Sequence, residues 1–321
     1  MEKLFSVSSS PHLRNIETTT GIMTDVLIAL SPAAVFGCII FGLKAVLLLI
    51  TCIVCAVLAE FLWNLILKKP STVGDLSAAV TGMLLGMNLS SEVPLWVAAI
   101  GSVVAIIVVK QMFGGIGCNF ANPAIAARIV LLVSFPGMMT KFSEPLVDTV
   151  KSATPLVDTV TSATPLAAEQ GTYTLNNLFF GLHSGCIGET SAFLLVIGGL
   201  YLIVRRVISP VIPLCFIGTV AFMTLVTGGD VVTAVFGGGL ILGAIFMATD
   251  YTTSPVTPAG KAVFGVGCGL ITFVIRKFGS LPEGVSYSIL VMNILVPYIN
   301  KFTLSKPFGF VPAKNGGGKN G

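Results

Sequence analysis

Apolar residues in this chain come in long blocks separated by short polar breaks. Val26–Leu67 carries only Lys44 and Glu60 as charges. A helix crosses hydrocarbon with roughly 20 apolar residues, so this block predicts two spans turning near Gly42–Lys44. Leu95–Val109, Ala192–Val204, Val207–Val226, Val231–Ala248, Ala262–Ile275 and Val285–Ile299 continue the series. Several fall short of a full crossing, so tilted or broken helices are expected among them. The blocks resolve into elements near 25–42, 43–67, a short one near 76–89, 94–112 and 123–136, then 191–206, 209–227, 231–248, 259–276 and 285–302.

The pattern predicts an all-α polytopic membrane protein of about ten elements in two halves. An arm (1–22) precedes a first membrane repeat (23–136); a polar loop (137–190) leads to a second repeat (191–303) and a tail (304–321). An odd number of elements per half makes the second half enter the membrane from the opposite side, which is the arithmetic of an inverted repeat. Local echoes agree. Gly82–Pro94, GMLLGMNLSSEVP, occupies the slot of Gly243–Pro255, GAIFMATDYTTSP, and Phe113-Gly114-Gly115 that of Phe278-Gly279-Ser280.

Composition sharpens the class. Charged residues are 10% and apolar ones 54%, with mean hydropathy +0.95, whereas soluble domains carry about a quarter charged residues. The net charge of +4 gives no reason to expect a nucleic-acid partner; the partner that composition does imply is the lipid bilayer. The first twenty residues have no apolar core, so no cleaved signal peptide is expected. The Gly-rich end, Lys314–Gly321, is expected to be disordered.

Lys and Arg near span ends set orientation. With a cytoplasmic N-terminus, Lys68, Lys69, Lys110, Arg205, Arg206, Lys261, Lys301 and Lys306 fall inside, while Lys44, Arg276 and Lys277 fall outside. Both termini are then cytoplasmic. The 137–190 loop faces outward, where its two lysines against five acids fit.

Chemistry-bearing residues are few. Seven cysteines include one tight pair, Cys52 and Cys55, in an all-apolar setting without a nearby His, which reads as packing rather than a metal site. Only His12 and His183 are present, disfavouring a bis-His haem. Glu60 is the acid set deepest in an apolar run. A charge there is a candidate for cation or proton contact by default; a snorkelling or helix-paired carboxylate is the plainer reading. Asp25, Asp75 and Asp230 stand where helices open and read as caps. Gly114, Gly115 and Gly117, with Asn119 and Asn122, suit a backbone that lines a cavity for a flat ring or an ion. Small residues equally serve close helix packing. Asp250, Thr252, Thr253 and Ser254 form a polar cluster at a helix break, either facing a cofactor or capping the next helix.

The longest polar stretch holds a tandem duplication, Pro145–Thr154 (PLVDTVKSAT) and Pro155–Thr164 (PLVDTVTSAT). Asp158, Thr161, Ser162, Ala163 and Thr164 resemble the D-x-x-[ST]-[GS]-A-T acceptor motif for covalent flavinylation. There the last Thr carries FMN through a phosphoester made by a flavin transferase. Small Ser162 and Ala163 let that enzyme approach, and Pro165 keeps the preceding residue extended. The first copy has Lys151 where the motif wants a hydroxyl, so Thr164 is favoured over Thr154. Slippage in a loose loop is the alternative origin of such a repeat.

Phe113–Arg128 (FGGIGCNFANPAIAAR), Phe246–Pro258, Leu281–Pro297, Gly188–Ser191 and Gly198–Leu202 together resemble the family of Rnf-complex D subunits and sodium-pumping NADH:quinone reductase B subunits. The length favours the branch of the D subunits. The resemblance implies a urea-transporter-like inverted repeat in the cell membrane, one covalent FMN, and a second, non-covalent flavin such as riboflavin. It also implies partner subunits in a complex that moves electrons between ferredoxin and NAD while translocating sodium or protons. The complete active site is then spread over several chains. A B-type subunit, a urea-channel-like transporter without redox activity, and a cofactor-free scaffold are the competing readings. The acceptor motif argues against the transporter.

Overall fold

The computed structural model describes residues 18–142, 166, 178–179, 181, 183–279 and 284–304. All regular structure among them is helical. The first helix, α1 (Thr19–Ile66), starts where the Thr18 side chain accepts from Gly21 N–H. Its 48 residues run to roughly 72 Å at 1.5 Å per residue, over twice the ~30 Å hydrocarbon core. The helical path breaks at Gly42 (φ 72°, ψ −157°), a conformation costly for any residue bearing a Cβ. No atom lies within 4 Å of where such a Cβ would sit, so the need for glycine is conformational. The two expected spans are the two arms of this broken helix.

The arms pack in different directions. On the first arm, Ala29, Ala33, Ala34 and Gly37 form a small-residue face. A Cβ on Gly198 would lie 2.3 Å from the Ala29 carbonyl oxygen, and one on Gly37 would lie 2.6 Å from that of Ile187. The second arm meets α2 (Ser77–Met87), where a Cβ on Gly82 would lie 2.7 Å from the Cys52 carbonyl oxygen. Lipid offers no hydrophobic drive between helices, so backbone approach over small residues holds these contacts.

The first half continues with α3 (Leu95–Val103), which widens into a π-helical stretch (Val104–Gln111). After a loop come α4 (Pro123–Ser134) and a single turn, α5 (Pro136–Met139). In α4 the sequence Asn-Pro fixes the start: the Asn122 side chain accepts from Ala124 and Ile125 N–H while Pro123 presets the first turn. The second half follows a short 3-10 turn (Ile187–Glu189). It comprises α6 (Ala192–Val204), α7 (Val211–Val226), α8 (Val231–Phe236), α9 (Leu240–Leu242) leading into π-helical Gly243–Met247, α10 (Pro258–Phe278) and α11 (Val285–Thr303). Among the described residues three helices are long and apolar enough to cross a membrane: Thr19–Ile66, Pro258–Phe278 and Val285–Thr303. The expected element near 231–248 is broken at Gly237–Gly239, where Gly238 and Gly239 take positive φ (68° and 66°).

Two expectations need correction. Asp25 does not open a helix: Thr18 caps α1, and Asp25 sits about two turns inside it. There its carboxylate accepts from Tyr201 Oη at 2.9 Å and pairs with Arg205 Nη2 at 3.0 Å, clipping α1 to α6. Lys110 is not a free charge at a span end. It is 2% exposed and committed to a buried partner, so it carries no information on orientation. Asp230 does cap α8, accepting from Val232 and Thr233 N–H. Asp75 accepts from Ser77 N–H at 2.9 Å at the entry to α2.

Candidate functional site

The helix breaks of the two halves meet around a cavity that is open on one side. Its walls are largely apolar: Met23 and Val26 from α1, Val80 and Leu84 from α2, Leu202 from α6, and Phe246 from the second π-helical stretch. Polar groups converge among them, namely Ser77, Thr81, Lys110, Asn119, Asn122, Thr249, Asp250 and Thr252. A mostly apolar hollow with a few placed polar groups is the usual form of a small-molecule site.

Four of the residues singled out from sequence lie in this wall: Asn119, Asn122, Asp250 and Thr252. Asn122 does two jobs at once. Its Oδ1 caps α4, and its Nδ2 donates to the Met247 carbonyl at 3.2 Å, fastening the first half to the second. Asn119 Oδ1 is buried and finds no hydrogen-bond partner among the described residues. A buried polar atom left unpaired is costly, which makes it an acceptor waiting for a donor. Asp250 accepts from Thr252 Oγ1 at 3.1 Å and Thr253 Oγ1 at 3.3 Å. The carboxylate thus organises a turn in the wall, and the following helix is capped by Thr257 instead.

Gly114, Gly115 and Ser254 stand outside the wall. Gly114 and Gly115 take φ of 120° and 93°, and Gly115 N–H donates to the Lys110 carbonyl at 3.0 Å. They make the sharp exit from the π-helical stretch that carries Ile116 and Asn119 to the cavity. Ser254 N–H closes the Asp250 turn by donating to the Asp250 carbonyl at 3.1 Å.

Glu60 is completely buried and paired. Lys110 Nζ lies 2.9 Å from Oε2 and 3.0 Å from Oε1. Gln111 Nε2 and Thr72 Oγ1 donate to Oε1 at 2.8 and 2.7 Å. Lys110 also donates to Ser77 Oγ, whose hydroxyl in turn donates to Asp75 Oδ1 at 2.6 Å. Glu60 is thus a paired carboxylate. Its partner lies across the tertiary structure rather than on its own helix. Lys110 and Ser77 belong to the cavity wall, whereas Glu60, Thr72 and Gln111 stand behind it.

Comparison with known proteins places the chain. The NQR2, RnfD, RnfE family profile matches residues 6–309. The D subunit of the Na(+)-translocating ferredoxin:NAD(+) oxidoreductase complex of Acetobacterium woodii is 48% identical over 313 residues, covering 96% of both chains. The D subunit of the proton-translocating ferredoxin:NAD(+) oxidoreductase complex of Clostridium ljungdahlii is 43% identical, covering 96% of this chain and 97% of its own. The D subunit of the ion-translocating oxidoreductase complex of Stutzerimonas stutzeri is 35% identical, covering 90% and 91%. The chain belongs to the NQR2, RnfD, RnfE family.

In this NQR2, RnfD, RnfE family chain the flavinylation-like tract, Asp158, Thr161, Ser162, Ala163 and Thr164, lies outside the described residues. Sequence reasoning missed two buried cations. Lys110 was visible only as a charge at the edge of an apolar block. Arg128, 6% exposed on α4, donates to Asn88 Oδ1 at 3.3 Å, Ser286 Oγ at 3.0 Å and Cys186 Sγ at 3.4 Å. Both sit in apolar surroundings, and an ionisable residue within an apolar block was the available signal.

Proposed function

We propose that this chain is the membrane flavoprotein subunit of an Rnf-type complex that couples ferredoxin:NAD+ oxidoreduction to Na+ or H+ translocation, with FMN esterified to Thr164. Similarity along 96% of both chains to a D subunit so named carries this reading, and the D-x-x-T-S-A-T tract within it supports the ester. Ferredoxin and NAD+ would dock on partner subunits, and a flavin transferase would install the FMN. The two halves are taken as a urea-transporter-like inverted repeat in the cell membrane, with both termini cytoplasmic and the 137–190 loop outside. In favour of that symmetry, α2 and the 240–248 segment, which fill matching slots, are both buried along almost their whole length.

The cavity is our site for the second, non-covalent flavin. An isoalloxazine is flat, largely apolar, and edged by one N–H donor and carbonyl acceptors. Asn119 Oδ1, buried and unpartnered among the described residues, would accept from that N–H. Met23, Val26 and Phe246 would cover its faces and exclude water. The flavins supply the redox chemistry, while the protein supplies position and electrostatics.

Denaturing gels of protein co-expressed with a flavin transferase test the ester. A fluorescent band is expected in the parent and in Thr154→Val, and none in Thr164→Val. A band persisting in Thr164→Val moves the attachment elsewhere. Peptides from 141–190 at their unmodified mass, with no band in any sample, leave a passive pore as the better account.

A further inference from the structure

Two side chains in the cavity wall carry charge, Lys110 and Asp250. Lys110 is unusual because its countercharge is not in the wall. Glu60 holds the ammonium from behind with both oxygens, at 2.9 and 3.0 Å, and the pair is 2% and 0% exposed. Thr72 and Gln111 tie Glu60 down on that far side, while Ser77, a wall residue, accepts from the ammonium on the near side. The result is a fixed, almost wholly buried dipole with its positive end toward the cavity, screened far less than a surface pair. Asp250, the other charged wall residue, is held by the Thr252 and Thr253 hydroxyls and makes no ion pair with Lys110.

We infer that Lys110 is a positioning residue that sets the reduction potential of the flavin in this cavity, favouring the reduced form. The inference rests on the cavity being the non-covalent flavin site. When a flavin takes up two electrons and one proton at N5, it keeps a negative charge on its N1–C2 edge. A fixed ammonium end stabilises that anion over the neutral oxidised ring. Glu60 then serves to keep the lysine charged at membrane depth rather than to meet the flavin.

The test uses the full-length chain purified in detergent after expression without a flavin transferase, so that no flavin is esterified. Flavin released by acid precipitation is counted, and the bound flavin is titrated spectroelectrochemically. Wild type is expected to release one flavin. In Lys110→Met and in the doubly neutral Lys110→Met/Glu60→Gln, the preference for reduced over oxidised flavin is expected to fall at least tenfold. That is a downward midpoint shift of about 30 mV or more for a two-electron couple. Lys110→Arg, which keeps the charge, is expected to hold the wild-type value. The double variant leaves no unpaired buried charge, so it reads out the potential even if the single one folds poorly. A flavin bound at unchanged potential in Lys110→Met or in the double variant overturns the role of Lys110 while leaving the cavity as the flavin site. Wild-type protein that releases no flavin overturns both.

Discussion

The pair formed by Glu60 and Lys110 makes a quantitative prediction about stability. Both groups are buried, and each is the other's only charged partner among the described residues: Lys110 reaches both carboxylate oxygens at 2.9–3.0 Å. Removing one partner of a buried pair strands the other and costs about 3–5 kcal/mol, whereas replacing both with neutral groups of similar volume is often close to neutral. Lys110→Met deletes the ammonium at nearly constant volume and leaves Glu60 with Gln111 and Thr72 as its remaining donors. Glu60→Gln leaves the ammonium facing an amide. Each single change is therefore expected to cost about 3 kcal/mol or more, and the double change much less than their sum. The coupling energy should reach about 3 kcal/mol, well above the roughly 0.5 kcal/mol scatter of independent sites. Reversible unfolding in mixed detergent–SDS micelles, followed by Trp fluorescence for all four proteins of the cycle, measures it. Single changes below about 1 kcal/mol that simply add would mean that the pair is hydrated, as exposed pairs are, and would refute the buried-dipole argument.

Two further outcomes are expected. Gly198→Ala places a Cβ 2.3 Å from the Ala29 carbonyl oxygen, and backbone there cannot yield without parting α1 from α6. A loss of about 1–3 kcal/mol is expected, read by the same unfolding assay, while Gly218→Ala, with open space around its Cβ, should change little. Arg128→Met removes the donor to Asn88, Ser286 and Cys186. A loss of about 2–4 kcal/mol of unfolding free energy is expected, since bonds to a charged donor contribute roughly 1.5–3 kcal/mol each before relaxation; an unchanged stability would show that those acceptors find other partners.

The helices were legible because apolar blocks of membrane length admit little else. The break at Gly42 was legible as well, since glycine beside Lys44 interrupts an otherwise uniform run. Asn119, Asn122, Asp250 and Thr252 could be picked out because uncharged or lone polar residues at helix breaks are rare in such a chain. What sequence could not reveal was pairing. Glu60 stood out, but Lys110 is 50 residues away, and nothing local distinguishes a lysine at a span end from one folded inward by a π-helical turn. Asp25 misled for the opposite reason: a carboxylate near a helix start looks like a cap, yet Thr18 already filled that role and freed Asp25 for α6. Gly114 and Gly115 were read through packing or cavity lining, when their positive φ shows them turning the chain beside the cavity.

The clip between Asp25 and Tyr201 has a bearing on biogenesis. The two residues are 176 positions apart, an interval the ribosome covers in roughly 9–35 s at 5–20 residues per second. Throughout it the first arm of α1 lacks the partners that α6 supplies, Gly198 against Ala29 and Tyr201 on Asp25. Insertion of this polypeptide is therefore not a strictly sequential laying down of finished hairpins. The Asp25 clip can close only after α6 is made, and a nascent chain stalled before it presents quality-control proteases with a first arm that lacks this contact.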